Sequence, residues 1–535
     1  MGYFTTIQML LDIPTSLEVK EREEIDSFLL LLEESNVGEI ITKNIKSNTS
    51  KGGRIGYNKY RMFAMILYGF SYYKVTLREL ENACKFDIRF MYIMNGLKPD
   101  YSTICKFINT FIMANIGEIF ARITTIIFKK LQIEMDIAYV DGSKFEANAN
   151  KYKFVWKPTT FHERMTLKAS EIIKTYDLIK DFQTPSLITS KTIALAISNL
   201  YAKSTCTSDF NIVEKVLSSL LKKVLEYEEK ERKCGDRKSF YKTDTDATAM
   251  ALKADYYAGL GSNMHAAYNV QIIVINGFVM MVYVSQSRTD IKDFIPTIES
   301  FYKYYHCYPK KICADAGYGS LENYRYLKYH NIKSFVKHSS WEGNVSGKYP
   351  DCFKLNDDEQ TITCLNDKIG YQIILEKRHT RKSNNVFFKV EGCNSCSFKL
   401  YCKKYMKVMD EDFKIFESNI EFLKLKQETE NNLLSAEGIE ARVNRSIQVE
   451  GAFGNEKQNR NYDRLRRRRI EPVEAEICLS FLGTNLKKYF RYMALKKMPL
   501  FWKAPPKMEA ESFKKPSPKK LSKRGKKINQ KFYKN

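Results

Sequence analysis

The sequence predicts an α/β protein built on a mixed sheet with helices packed on it. "IAYVDGSKFEANANKY" opens as a β-type apolar run and reaches Asp141-Gly142-Ser143. "AAYNVQIIVI" and "GFVMMVYVSQS" read as two strands joined through Asn276-Gly277, a dipeptide that favours a tight hairpin turn. Beyond the hairpin, strands and helices alternate.

In chain order, residues 1–50 are a preamble with one amphipathic helix, "SLEVKEREEIDSFLLLLEES". The stretch from "GRIGYNKY" to "STICKFINTF" is helical in period, with breaks near Tyr72–Tyr73 and at Gly96–Asp100. Short Lys- and Arg-bearing helices with tight turns fit a helix-turn-helix module or an ordinary bundle, and the pattern leaves both open. After the first core strand comes a Lys-rich helical insert, 160–233. The two hairpin strands follow it. Then come a helix in "DIKDFIPTIESFYKYYH", a strand in "KKICADAGYGS", a helix in "LENYRYLKYH" and a strand in "IKSFVKH". Residues 339–430 read as irregular. Helical texture returns from "LSAEGIEARVNRS" to about Met498. The expected division is a preamble 1–50, a helical DNA-binding domain 51–130, a core 131–338 carrying the insert, and a cysteine-containing insertion 339–430. Core helices 431–500 and a basic, disordered tail 501–535 complete it.

At 535 residues the chain holds about three or four structural units. Its 44% hydrophobic content supports a real core. With 87 Lys+Arg against 62 Asp+Glu, the net charge of +25 points to a polyanionic partner, nucleic acid before membrane. The stretch 503–535 alone has twelve Lys/Arg against two Glu. Met1–Leu11 lacks a secretory leader's basic start and apolar core, and no run approaches the roughly 18 apolar residues of a membrane span. The twelve cysteines are mostly isolated, as expected of reduced thiols in the cytoplasm. Cys393, Cys396 and Cys402, in "CNSCSFKLYC", have the spacing of one edge of a tetrahedral zinc site, with Cys364 or Cys352 as the fourth ligand. Reduced thiols packed in a small insert fit the same spacing.

Two predicted strands end in a carboxylate beside glycine, at Asp141 and Asp315. Active groups in open α/β sheets gather at the carboxyl ends of strands. A third acid, Glu450, lies on a predicted helix in a strongly basic stretch. Three converging carboxylates repel one another, and two divalent metals would offset that repulsion and serve phosphodiester cleavage; Mg²⁺ suits oxygen ligands. Lys457 lies two helical turns beyond Glu450, on the same face, placed to hold a DNA phosphate. Arg442, Arg445, Arg460, Arg464 and Arg466–Arg469 would hold the flanking backbone. Each acid also has an ordinary use, as a turn residue or a salt-bridge partner, and composition alone does not select these three. Asp244 and Asp246, in "TDTDATAM", either line the site or serve as turn or cap residues.

The motifs "YVDGSKFEANANKYKFVW", "TDTDATAM", "AYNVQ", "ADAGYGSLENYRYL" and "NRSIQVEGAFGNEKQNRNYDRLRRRR" closely resemble the DDE transposases of bacterial insertion sequences. The nearest group is the one numbered eleven eighty-two, within the IS-four-like superfamily. "GRIGYNKY…PDYSTICKF" resembles that group's N-terminal helical domain, and the likeness runs in order from about residue 50 to 495. It implies an RNase H-like core in which Asp141, Asp315 and Glu450 form the triad and hold two Mg²⁺, with Mn²⁺ as a substitute. It also implies binding to terminal inverted repeats, cleavage, joining of the 3′-hydroxyl to target DNA, and a homodimer on DNA at the bacterial nucleoid. The superfamily spaces Tyr, Arg, Glu and Lys as Y-(2)-R-(3)-E-(6)-K. Glu450 and Lys457 fit, whereas Val443 and Ser446 stand at the Tyr and Arg positions, with Arg445 or Arg442 nearby. The hairpin-forming route that accompanies the signature in relatives is therefore left open. Trp341, between Asp315 and Glu450, is either an aromatic that stacks on a flipped base, as in relatives, or a buried structural residue. The rival readings are an inactive DNA-binding relative and a nuclease of the same fold without strand transfer.

Overall fold

The computed structural model describes residues 19–43, 56–72, 76–182, 188–202, 208–253, 255, 258–259, 263–374, 385–403, 411–497, 500–506, 508–513 and 517–518. The chain opens with helices α1 (Val19–Glu34), α2 (Val37–Lys43), α3 (Lys59–Ser71), α4 (Leu77–Phe86), α5 (Ile88–Met94), α6 (Tyr101–Phe107) and α7 (Ile116–Leu131). Their starts follow local chemistry. Asn58, Asp87 and Asp100 accept backbone N–H bonds at the heads of α3, α5 and α6. Thr76 and Glu79 form a reciprocal capping box on α4. The run Tyr101–Leu131, continued through a π-turn and a 3₁₀ turn, is long and apolar enough by composition to cross a membrane. The expectation that no run approaches a span is corrected on that count. In this fold α7 packs on the central sheet, and its apolar face belongs to the main core.

Next come β1 (Ile137–Glu146), β2 (Phe154–Trp156), α8 (Thr159–Thr175), α9 (Ser190–Ala202), α10 (Ser208–Cys234), β3 (Ser239–Tyr241) and β4 (Thr248–Ala251). Helices α8–α10 bury their own small core around Ile173, Ile193, Leu217 and Val224. The central elements are β5 (Met264–Ile275), β6 (Phe278–Ser285), α11 (Phe294–Tyr305), β7 (Lys311–Ala314), α12 (Leu321–Tyr329) and β8 (Lys333–Val336). The sheet runs β4-β5-β1-β7-β8, with β6 also on β5. β1 is antiparallel to β5 and parallel to β7, and β7 is parallel to β8. The β5–β6 turn takes φ +49° at Asn276 and +78° at Gly277, the two left-handed residues that this hairpin turn demands.

The described residues within 339–430 are not irregular. They form a five-stranded antiparallel sheet of β9 (Phe353–Leu355), β10 (Thr361–Cys364), β11 (Ile369–Ile373), β12 (Val386–Glu391) and β13 (Phe413–Ser418). Three helices close the chain: α13 (Ile420–Leu434), α14 (Ala436–Arg445) and α15 (Ile470–Leu495). α15 is buried along most of its length and packs on α3, α7 and β6. One continuous core therefore joins the N-terminal helices to the sheet. The start of the expected disordered tail is ordered. Trp502 and Ala504 donate backbone bonds to Asn444 and Glu440, and Phe513 packs edge-on against Trp341. Residues 519–535 of that tail lie outside the described residues.

Candidate active site

Parallel pairing of β1 with β7 ends at Val140↔Ala314, so Asp141 and Asp315 occupy the next position on adjacent strands, about 4.8 Å apart along the sheet. β1 does not stop at Asp141, as expected from the sequence. It runs on to Glu146 against β5, so the aspartate sits in mid-strand where its other neighbour ends. Each carboxylate accepts a bond from the next backbone N–H, Gly142 for Asp141 and Ala316 for Asp315, both at 2.8 Å. Arg445, at the end of α14, donates from Nη1 to Asp141 Oδ2 at 3.0 Å. Burial pushes the Asp141 carboxyl up; Arg445 and the Gly142 N–H oppose the shift, and the Asp315 charge adds to it. The guanidinium of Arg445 loses solvent but is held above its ordinary value by Asp141 and Asp315 together.

Glu450 closes a π-turn, Ser446–Glu450, that follows α14 directly and packs on β1 and β5. Single π-turns of this kind recur at functional sites because they re-aim a helix face. Gln448 anchors the turn by accepting from Gly277 N at 2.8 Å. Glu450 itself is exposed to solvent. Asp141 and Asp315 thus stand together, with Glu450 on the adjoining turn. Among the described residues, the set of three potential metal donors closing to within 4.8 Å is a different one: His338, Asp351 and Glu430. There Lys426 Nζ lies 2.5 Å from Asp351 Oδ2 and supplies the cation. His338 Nε2 lies 2.7 Å from Glu430. That cluster is an ion network joining the segment between β8 and β9 to α13.

Lys457 lies on a second π-turn, Asn455–Asn459. Its ammonium donates to Ser143 Oγ at 2.8 Å and Lys144 O at 2.6 Å, and sits over the Phe145 ring. Asp141, Ser143 and Phe145 alternate onto one face of β1, so Lys457 is on the Asp141 side of the strand. Burial lowers its pKa to about 8.

The arginines separate into two kinds. Arg464 is open, 3.7 Å from Glu146, and Arg466, Arg468 and Arg469 are exposed beside it. Arg460 is corrected as a DNA contact. Its side chain is 2% exposed and bonded to Glu456, Ser480 and Thr484, tying the second π-turn to α15. Arg442 is corrected likewise: it pairs with Glu511 at 2.7 Å and lies over Trp341. Arg445 belongs to the carboxylates rather than to a flanking backbone surface. Trp341 is 1% exposed and structural.

Asp244 and Asp246 are turn and cap residues. Asp244 accepts from Tyr268 Oη and Arg469 N, and Asp246 accepts the first N–H of α15, from Ile470. Sequence reasoning assigned no role to Asn269 and Gln271, although polar side chains inside an apolar strand were the available signal. Both are fully buried and donate to Asp290 Oδ1, at 2.7 and 2.8 Å, while Tyr318, just past Asp315, donates to Gln271. Gly142 is required over this layer, because a Cβ there would lie 2.2 Å from Gln271 Nε2. The layer braces the Asp315 loop from beneath.

Cys364, Cys393, Cys396 and Cys402 lie near one another at one end of the small sheet, but among the described residues no three of their sulfurs come within 4.8 Å of one another. Burial pushes the Cys393 and Cys396 thiols up. A hydrogen bond with Cys352, then burial, does the same for Cys402.

Residues 363–490, which carry Glu450, Lys457 and all four of these cysteines, match the family described as Transposase DDE domain. Residues 18–110, the N-terminal helices, match Transposase domain (DUF772). Asp141 and Asp315 lie outside both matched stretches. No curated protein and no solved structure matches the chain. Transposase domains at the N-terminal helices and across the Glu450 segment, set around one mixed α/β sheet, support a DDE transposase.

Proposed function

We propose that the protein is an insertion-sequence transposase of the eleven-eighty-two group. It binds terminal inverted repeats, cleaves DNA at the element ends by Mg²⁺-dependent hydrolysis, and joins the 3′-hydroxyl to target DNA as a homodimer. The strand order β6-β5-β1-β7-β8, antiparallel then parallel across β1, supports an RNase H-like core. The observation that carries the reading is the placement of Asp141 and Asp315 side by side where the parallel ladder ends, beneath the turn that presents Glu450.

The residues fit a divalent metal. They are oxygen donors, the kind Mg²⁺ prefers, and the single guanidinium of Arg445 leaves the three carboxylates with net negative charge. Asp141, Asp315 and Glu450 would hold Mg²⁺, or Mn²⁺ in its place; two bound ions supply an activated oxygen nucleophile and stabilise the leaving oxygen. Arg445 limits the repulsion between the two aspartates. Lys457 offers a cation beside Asp141 for the phosphate adjoining the cut. Arg464, Arg466, Arg468 and Arg469 hold the backbone beyond it. Cys364, Cys393, Cys396 and Cys402 would hold a structural Zn²⁺ that ties the small sheet together.

The test is incubation of the protein with Mg²⁺ and a duplex carrying the DNA that flanks its coding region. Cut ends and joined products are expected. Cutting without joining would make it a nuclease, and binding alone an inactive relative.

A further inference from the structure

Between β1 and the helical insert, the chain reads "KYKFVWK", Lys151–Lys157. Tyr152, Phe154 and Trp156 alternate along it and are 80%, 44% and 63% exposed. Phe154 and Trp156 belong to β2, the outer strand of a two-stranded ribbon with β3, and their rings meet edge to face with centroids 5.4 Å apart. Single exposed aromatics need no explanation, but Phe154 and Trp156 share one face of β2, and Tyr152, in the turn just before it, continues the exposed aromatic run. Its surroundings are basic. Lys153, Lys157, Lys238 and Lys242 are exposed on the ribbon.

The loop leading into the ribbon is also fixed beside the arginine run. Glu146 N donates to Asp463 O, and Leu465 N donates to Glu146 O, extending β1 with the 463–465 segment. Asn148 donates to Arg466 O, and Arg468 donates to Asn148 O. Asp141 to Glu146 is about 17 Å of strand. The ribbon thus follows, within a few residues, the loop that meets the exposed arginines.

We propose that Tyr152, Phe154 and Trp156 form a stacking surface for unpaired bases of DNA, with the ribbon lysines on the adjoining phosphates. Flat aromatic faces bordered by cations are what an unpaired strand requires, since every base has a π-face and every phosphate a charge. A base-paired duplex keeps its π-faces hidden and gains less from such a surface. The inference deepens the transposase reading and rests on it: strands separated at a cut end are the occupant.

The experiment uses the full chain, without metal, and a single-stranded oligothymidylate beside a duplex of equal length. Of the three tryptophans Trp341 is buried and Trp502 is partly buried, so the quenching that is lost in Trp156→Phe is the emission of the exposed Trp156 and reports stacking. The expected result is quenching by the single strand. Trp156→Ala should weaken single-strand binding about tenfold or more. Trp156→Phe should keep most of the affinity and lose the quenching. Unchanged single-strand affinity in both Trp156→Ala and the double variant Tyr152→Ala/Phe154→Ala, with circular dichroism like wild type, overturns the proposal. A shift in sedimentation by these variants at unchanged DNA affinity also overturns it, assigning the face to a second copy of the chain. Because the probe carries neither terminal repeat nor metal, failure here leaves the cleavage assay untouched, and failure of cleavage leaves this result standing.

Discussion

Arg445 donates to Asp141 across 304 residues of sequence, at 3.0 Å, with 11% of the arginine side chain and 22% of the aspartate side chain exposed. The pair locks α14, and with it the turn bearing Glu450, to the strand bearing Asp141. Removing one partner of a buried ion pair costs about 3–5 kcal/mol, and the partial exposure here places the expectation at the lower end. Arg445→Met should lower unfolding free energy by about 3 kcal/mol. Mg²⁺ should restore part of the loss by neutralising Asp141. Urea denaturation with and without Mg²⁺ measures both effects; a variant as stable as wild type without metal would show that the pair does not hold the site.

Asp141→Ala, Asp315→Ala and Glu450→Ala should each abolish cleavage and leave DNA binding in place. Their effects should not add, because ligands of a shared metal site act as a unit. Ca²⁺ should support assembly on DNA without turnover, since its looser coordination does not impose the required geometry. Cleavage and binding assays on the same preparations decide the matter, and near wild-type cutting by any single variant removes that residue from the site.

Lys457 has a pKa lowered by burial to about 8 from 10.5. The fold disfavours its charged form, so the destabilisation is present below about pH 8 and is relieved as pH rises toward 10.5. In the folded protein its charge is lost around pH 8. Affinity for DNA should therefore fall as pH passes through about 8. Lys457→Arg, charged throughout, should flatten that profile. Anisotropy titrations at fixed ionic strength across the range test it.

Arg460 and Arg464 should behave oppositely. Arg460→Ala leaves Glu456, 1% exposed, buried without its partner and should cost about 3–5 kcal/mol. Arg464→Ala should leave stability unchanged and reduce the slope of log affinity against log salt by about 1. Thermal unfolding and salt-dependent binding distinguish the two.

Chelator-washed, folded protein should retain about one zinc per chain, held by Cys364, Cys393, Cys396 and Cys402. Cys393→Ser combined with Cys396→Ser should release it and open the small sheet to proteolysis. Elemental analysis that finds no metal in the wild type defeats this.

The strands of the large sheet were legible because their apolar runs are long and their turn signals strong, as at Asn276-Gly277. The small sheet was not, because strands such as Phe353–Leu355 and Thr361–Cys364 are too short for alternation to register. The Gly-Ser after Asp141 imitates a turn, yet in the fold it continues the strand; Gly142 is there for close packing. The arginines of 442–469 look alike in sequence; Arg442, Arg445 and Arg460 lie on or just after helical turns whose phase carries them inward, whereas Arg464 and Arg466–Arg469 fall in the non-helical stretch before α15. Two π-turns alter that phase, which is why Lys457 meets Ser143 and Lys144 on β1.

The burial of α15 limits how such proteins can be recombined. A Cβ at Gly483 would lie 2.7 Å from the Phe70 carbonyl carbon, so the backbones of α15 and α3 touch without side chains between them. The N-terminal helices therefore cannot be exchanged between related chains as a cassette cut before β1. A chimera must carry α15 with them, so the first and last parts of the chain form one heritable unit, and grafting the N-terminal helices alone should yield misfolded protein.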